Sequence, residues 1–236
     1  MIYMPEKEKL TKAGKNALIA PYRWLIAWTI VFFISAWRLD IPRAWLYILI
    51  ALIGNIINTL VILIYMRELY NLRGRGQEGT KKWDYFFLLI YFFTSLIIVP
   101  LVAGFDVGRF QWSYLNFQFM TIGIILYILS FALILWAMLV NQHFEGTVRI
   151  QEDRDHKVVS SGPYKIVRHP GYVGMILGSF SPSFIVGSFF SLIPVLLIIF
   201  TVILRTHFED KLLRAELKGY IDYAKITKYR LIPGIW

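Results

Sequence analysis

Two short stretches of this sequence bring together residue types that could do chemistry. The first runs Ser161-Gly-Pro-Tyr-Lys-Ile-Val-Arg-His-Pro-Gly-Tyr-Val-Gly174. Gly162-Pro163 makes a turn, and Pro170 suits the first turn of a helix, where its missing N–H is no loss. Arg168 and His169 would then stand at the mouth of that helix. Exposed backbone N–H groups at a helix start favour an anion, and Arg168 adds a fixed cation able to clamp a carboxylate through two parallel hydrogen bonds. Tyr164 and Tyr172 supply aromatic faces nearby. The second stretch is Arg205-Thr-His-Phe-Glu-Asp210, with two adjacent acids. If the two stretches meet, both charge signs converge at one mouth, which suits a zwitterionic, cationic ligand. Each has a plainer reading as well. Arg, His and Tyr are ordinary anchors at a membrane surface, and an acid pair on an amphipathic helix is usually its wet side.

The elements that must position these residues are membrane spans. At 57% hydrophobic and 17% charged over 236 residues, with mean hydropathy +0.57, the chain is too apolar for a soluble domain, where the shares are about half and about a quarter. Four runs, 17–37, 44–66, 85–104 and 119–140, reach the roughly 20 apolar residues that a bilayer crossing needs. A fifth, 172–204, has no charge and would extend ~50 Å as one helix. It reads better as two short helices turning near Gly178, Pro182, Gly187 and Ser188. Residues 205–224 then continue as an amphipathic helix on the cytoplasmic face. The fold class expected is therefore all-α integral membrane, with about six transmembrane segments, the last two a short helical hairpin.

The formal charge of +10 is topological on this layout. Lys and Arg number five up to Arg23, two in 38–43, five in 67–83, one in 105–118, five in 141–171, none at the hairpin tip and seven in 205–236. Bases collect in cytoplasmic loops, so six spans put both termini and the 67–83 and 141–171 loops in the cytoplasm. Nucleic acid is not an expected partner. The first span lacks a small-x-small cleavage site and reads as a span rather than a signal peptide. Zero cysteines excludes disulfides, thiolate metal sites and thiol nucleophiles, and His143, His156, His169 and His207 show no metal-binding spacing, so no metal is expected. Gly74-Arg-Gly-Gln-Glu-Gly79 fits G-x-G-x-x-G but follows a membrane helix rather than a strand, and reads as a connector. Asn55 and Asn58 share one face of the second span, where amides usually pack between helices.

The series Gly162-Pro163-Tyr164, Arg168-His169-Pro170, Tyr172 and Gly174, then Glu209-Asp210, Gly219-Tyr220, Tyr223 and the terminal Arg230-Leu-Ile-Pro-Gly-Ile-Trp236, resembles the isoprenylcysteine carboxyl methyltransferase family. Asn141-Gln-His-Phe144, Thr147-Val-Arg-Ile-Gln151 and Lys82-Trp83-Asp84 are similar to its prokaryotic branch. The resemblance is dense from Trp136 to Trp236, dividing the chain into an N-terminal transmembrane region, 1–118, and a methyltransferase core, 119–236. It implies an integral-membrane methyltransferase that binds S-adenosylmethionine in a cytoplasmic pocket. Its acceptor would be lipophilic, a small molecule or prenylated species, and would arrive laterally from the membrane lipids. Cofactor-binding residues implied are Gln151, Tyr164, His169, Tyr172, Gly174, Glu209, Asp210, Tyr220 and Tyr223. Asp210 stands where the family usually has a second glutamate.

Methyl transfer from a sulfonium is an in-line displacement, so alignment and water exclusion are the protein's main tasks. The candidate catalytic residues are Arg168 and Arg205, to orient a carboxylate of acceptor or cofactor, and Glu209, to bond the cofactor's amino or ribose groups. A rival reading is an NADPH-dependent membrane sterol or isoprenoid reductase, whose C-terminal tail looks similar. Such enzymes generally carry Arg-Asp where this chain has Glu209-Asp210, and an acid suits a sulfonium better than a polyanionic dinucleotide. A non-catalytic transporter or scaffold is a third reading, against which stand the absence of an apparent internal repeat and of charges in the middle of the spans.

Overall fold

The computed structural model describes residues 9–74 and 78–236, and among these the chain is helical with no strand. Residues 75–77, inside the Gly74–Gly79 motif, lie outside the described residues. Helix α1 (Lys12–Ala36) starts where the Thr11 hydroxyl accepts the Gly14 N–H at 3.1 Å, an N-cap that satisfies one orphan donor. Helix α2 (Pro42–Tyr65) opens with proline in its first turn and is followed by the short α3 (Arg67–Arg73). Helix α4 runs Lys82–Phe110, with wider turns over Thr94–Ile98 and Phe105–Phe110. Helix α5 (Phe117–Val140) is capped by Asn116, whose side-chain oxygen accepts the Gln118 N–H at 3.1 Å. Helices α6 (Pro170–Val186), α7 (Leu192–Glu216) and α8 (Tyr220–Ile226) complete the order.

Five of these, α1, α2, α4, α5 and α7, are long and apolar enough to cross a membrane, while α6 is a shorter apolar helix. Ile26, Ile30, Ile53, Leu60, Leu89, Ile128, Leu196 and Phe200 point outward and exposed. In water that surface would be untenable, and in lipid it is the expected coat of a helical bundle. The protein is an all-α integral membrane protein.

The long apolar run does divide into two helices near its middle, but of the candidate breakers only Gly187 and Ser188 fall at the break. Pro182 sits inside α6, and the turn forms at Gly187, which ends α6 in the left-handed region at φ 97°. Only glycine adopts that conformation without strain. A second difference concerns the amphipathic helix expected after residue 204. No helix breaker occurs there, so α7 continues unbroken to Glu216 and carries Arg205, Glu209 and Asp210 as part of a membrane helix. The separate C-terminal helix is only α8, seven residues behind Gly219 at φ 83°.

The hairpin tip is tied down by side chains. Arg43 donates to the carbonyls of Ile185 (2.6 Å), Phe184 (2.7 Å) and Leu115 (2.5 Å), which satisfies acceptors at the C-terminal end of α6. Asp106, fully buried, accepts from the Ser188 hydroxyl at 2.6 Å and from the Ser113 hydroxyl at 2.7 Å. Arg43→Ala removes three charge-assisted bonds and is expected to lower stability by about 2–4 kcal/mol. Arg43→Lys should restore only part, because an ammonium lacks the planar fork. Melting of the detergent-solubilised variants checks this, and an unchanged melting temperature for Arg43→Ala contradicts it.

Candidate functional site

A cavity of about 660 Å³ runs from a polar mouth into the helix bundle. Its inner arm lies between α1, α2, α4 and α5, against Ala20, Trp24, Leu88, Phe92, Phe131 and Ile134. Asn55 and Asn58 also face this arm, and Asn55 Nδ2 donates to the Pro21 carbonyl at 3.3 Å. The mouth is roofed by the segment between α5 and α6, which has no helix longer than a single 3-10 turn. Gln151 is buried and holds that roof together. It faces His143 Nδ1 at 3.1 Å through its side-chain oxygen and donates to the His143 carbonyl at 2.8 Å.

Two buried carboxylates clamp the mouth. Asp84, at the start of α4, accepts from Arg205 at 2.6 and 3.1 Å and from the Val148 N–H at 2.8 Å, and Arg205 donates to the Gly146 carbonyl at 3.0 Å. One ion pair therefore joins α4, α7 and the roof. Asp210, fully buried in α7, accepts from Arg168 at 2.7 and 3.2 Å, Arg214 at 2.9 Å, Arg230 at 3.0 Å and the Tyr220 hydroxyl at 2.9 Å. His169 Nε2 stands 3.4 Å away. Burial works against the Arg168 cation, but its bonds to Asp210 outweigh that and raise its pKa above the usual guanidinium value.

These contacts show where the expected site residues lie. Arg168 spends its donors on Asp210 and on the Thr227 and Lys228 carbonyls at 2.8 and 2.6 Å, and Arg205 is forked onto Asp84, so neither guanidinium is free to clamp a ligand carboxylate bidentately. The backbone N–H groups of Arg168 and His169 are not exposed, because they donate to the Tyr229 and Arg230 carbonyls of the C-terminal tail. Asp210 stands outside the cavity lining. So does Gly174, whose carbonyl accepts the Ser130 hydroxyl at 2.7 Å and whose Cβ position lies 2.5 Å from Ile134. It is a packing glycine between α5 and α6. His143 meets His156, with ring centroids 4.6 Å apart, while His169 stacks on Tyr172 at 5.7 Å.

The cavity does bring together Gln151, Tyr164, Arg168, His169, Tyr172, Arg205, Glu209, Tyr220 and Tyr223. Of the two carboxylates that line it, Glu145 is paired with Arg149 and Glu209 is in no ion pair among the described residues. The Tyr172 hydroxyl donates to Glu209, and the Arg205 guanidinium lies over the Tyr172 ring at 5.1 Å. Burial raises the Tyr223 phenol to about 12, and its hydroxyl donates to the Tyr164 carbonyl at 2.7 Å. Asp84 is the site residue that motif reading undervalued: its signal was an acid opening an otherwise apolar span.

Residues 118–218 match the phospholipid methyltransferase family. This family of integral-membrane methyltransferases includes the isoprenylcysteine carboxyl methyltransferases, so the resemblance carried by the motifs holds. The match spans α5, the roof, α6 and α7, which together supply the mouth of the cavity. No curated protein and no solved structure matches the chain.

Two expectations test this architecture. Asp210→Asn strips the negative centre from three arginines, and breaking a buried pair of this kind costs about 3–5 kcal/mol. A denaturation series that lost less than ~1 kcal/mol would falsify the role of Asp210 as a charge hub. The roof should also respond to acid. Burial, and next the neighbouring His143, hold the His156 pKa down at about 4 against an ordinary 6.5. The unfolded chain thus takes up this proton first, and stability falls as pH drops from about 6.5 toward 4. His156→Gln should flatten the melting temperature across that window, whereas an identical slope in the variant speaks against this assignment.

Proposed function

We propose that this protein transfers a methyl group from S-adenosylmethionine to a lipophilic acceptor that reaches the cavity through the bilayer. The observation that carries the reading is the two-natured cavity, polar at the mouth and apolar along the arm between membrane helices. A water-soluble cofactor and a lipid tail would each find their own solvent in one continuous space. Its volume lies within the usual range for small-molecule sites, about 300–1,000 Å³. The charge arrangement supports the same cofactor. Glu209 is a carboxylate in no direct ion pair among the described residues, although Arg205 acts on it electrostatically, and it fits a sulfonium or ammonium group better than the phosphates of a dinucleotide. This weighs against the NADPH reductase reading, as does the family match.

The cofactor, when bound, supplies a methyl carbon made electrophilic by positive sulfur. The chain's own residues then have three tasks. Glu209, held by Tyr172, binds cationic or hydroxyl groups of the cofactor. Tyr220 and Tyr223, with the stacked His169 and Tyr172, wall the mouth with rings that exclude water. The Asp84 and Asp210 clamps keep these walls from shifting, which matters because an in-line displacement is sensitive to small errors in distance. For an acceptor already ionised at neutral pH, such as a prenylcysteine-type carboxylate, no general base is required. On this reading the mouth, both termini and the roof face the cytoplasm, where the bases of 141–171 and 205–236 belong.

Purified protein should be stabilised against heat by S-adenosylhomocysteine and not by NADPH. Glu209→Gln should weaken S-adenosylhomocysteine binding about tenfold or more by calorimetry, the value of a lost charge-assisted hydrogen bond. Wild-type affinity in that variant, or stabilisation by NADPH alone, removes the proposal.

A further inference from the structure

Charges along the cavity cancel in pairs, with two exceptions. Among the described residues that line it, the Lys and Arg side chains are Arg73, Arg149, Lys157, Arg168 and Arg205. Arg149 is paired with Glu145 at 2.8 Å, Lys157 with Asp155 at 2.7 Å, Arg168 with Asp210 at 2.7 Å and Arg205 with Asp84 at 2.6 Å. Arg73 has no acidic partner among the described residues. Its nearest polar atoms are the Tyr70 hydroxyl at 3.4 Å and Met138 Sδ at 3.9 Å, and its guanidinium lies over the rings of Tyr70 and Phe144, each at 5.4 Å. Neutral rings and a thioether hold a guanidinium in place but leave its charge unmatched. Glu209, the other exception, is the cofactor-side carboxylate.

The position of Arg73 says what would match it. Tyr70 and Met138 belong to one apolar cluster, with Ile134, Leu135 and Phe144 packed against it, so the guanidinium stands where the roof meets the apolar arm. That seam is where the head of an amphiphile would sit with its tail in the arm. Phe144 also approaches the start of α6, since a Cβ at Gly171 would lie 2.7 Å from its ring, one residue before Tyr172. Phe144 thus lies between the Arg73 guanidinium and the start of α6, whose Tyr172 carries the hydroxyl bonded to Glu209.

We propose that Arg73 holds an anionic head group of the acceptor, a carboxylate or phosphate, opposite a cofactor held at Glu209; this rests on the methyltransferase reading. Methylation of such an oxygen forms the O–CH3 bond as the CH3–S bond breaks. The bonding pair stays on sulfur, so the sulfonium becomes a neutral thioether and the acceptor loses one negative charge. Arg73 accordingly holds substrate more tightly than product.

The test uses full-length protein in phosphatidylcholine nanodiscs, with Arg73→Gln and Arg73→Lys as variants. The probes are a farnesyl thioether carboxylic acid, its methyl ester, farnesyl monophosphate and S-adenosylhomocysteine. Wild type should bind the acid or the monophosphate about tenfold or more tighter than the ester. Arg73→Gln should abolish that preference, Arg73→Lys should keep part of it, and S-adenosylhomocysteine affinity should stay within about twofold in both, which also shows that the variants are folded. Equal binding of acid, monophosphate and ester by wild type overturns the proposal, as does a preference that survives in Arg73→Gln. Loss of S-adenosylhomocysteine affinity in Arg73→Gln overturns it by giving Arg73 to the cofactor. An effect seen only when phosphatidylglycerol is added overturns it in favour of a contact with bilayer phosphate. If wild type binds no S-adenosylhomocysteine, the methyltransferase reading falls, and the comparison of acid with ester still judges Arg73.

Discussion

A buried carboxylate in a membrane bundle must find hydrogen-bond donors or cations, and this protein's polar end is organised around two that find cations. Asp84 and Asp210 are both fully buried, and each is forked onto an arginine. Left unpaired, either charge would cost several kcal/mol in so apolar a setting, so their partners are forced into place. Through Asp84, helices α4 and α7 and the roof are fixed to one another. Through Asp210, the start of α6, the last turns of α7, Tyr220 and Arg230 of the C-terminal tail are drawn to one point.

The consequence is a mouth whose walls are charged residues already neutralised. Arg168 and Arg205 border the cavity but have spent their charge on the fold, and their hydrogen-bond geometry is set before any ligand arrives. Preorganisation of this kind suits a reaction in which alignment is the main contribution. The roof achieves the same with little regular structure, because Gln151, His143 and the Asp84 bond to Val148 satisfy its backbone and side chains locally. The inner arm depends on the N-terminal helices, so the residues that match the phospholipid methyltransferase family and the apolar space they open into come largely from different parts of the chain.

The spans were legible because a bilayer imposes length and hydropathy on any segment that crosses it. The runs at 17–37, 44–66 and 119–140 match α1, α2 and α5 closely, and the division of 172–204 follows from a charge-free stretch too long for one crossing. Which of its candidate breakers would act was not legible, since Pro182 is accommodated inside α6 while Gly187 makes the turn. Nor was the continuation of α7 through Glu209 and Asp210, because a change from apolar to charged residues resembles a helix leaving the membrane, whether or not the helix ends.

Sequence alone determined that the chain is an all-helical membrane protein, and which stretches form its polar mouth, because hydropathy, turn chemistry and motif order are local properties. Only the tertiary structure decided what each charged residue does. Arg168, Arg205 and Asp210 carry the right chemistry for ligand binding and are used for the fold, while Asp84, in a span 121 positions before Arg205, proved to be its partner. Pairing across such separations depends on which helix faces meet, and residue type does not specify that.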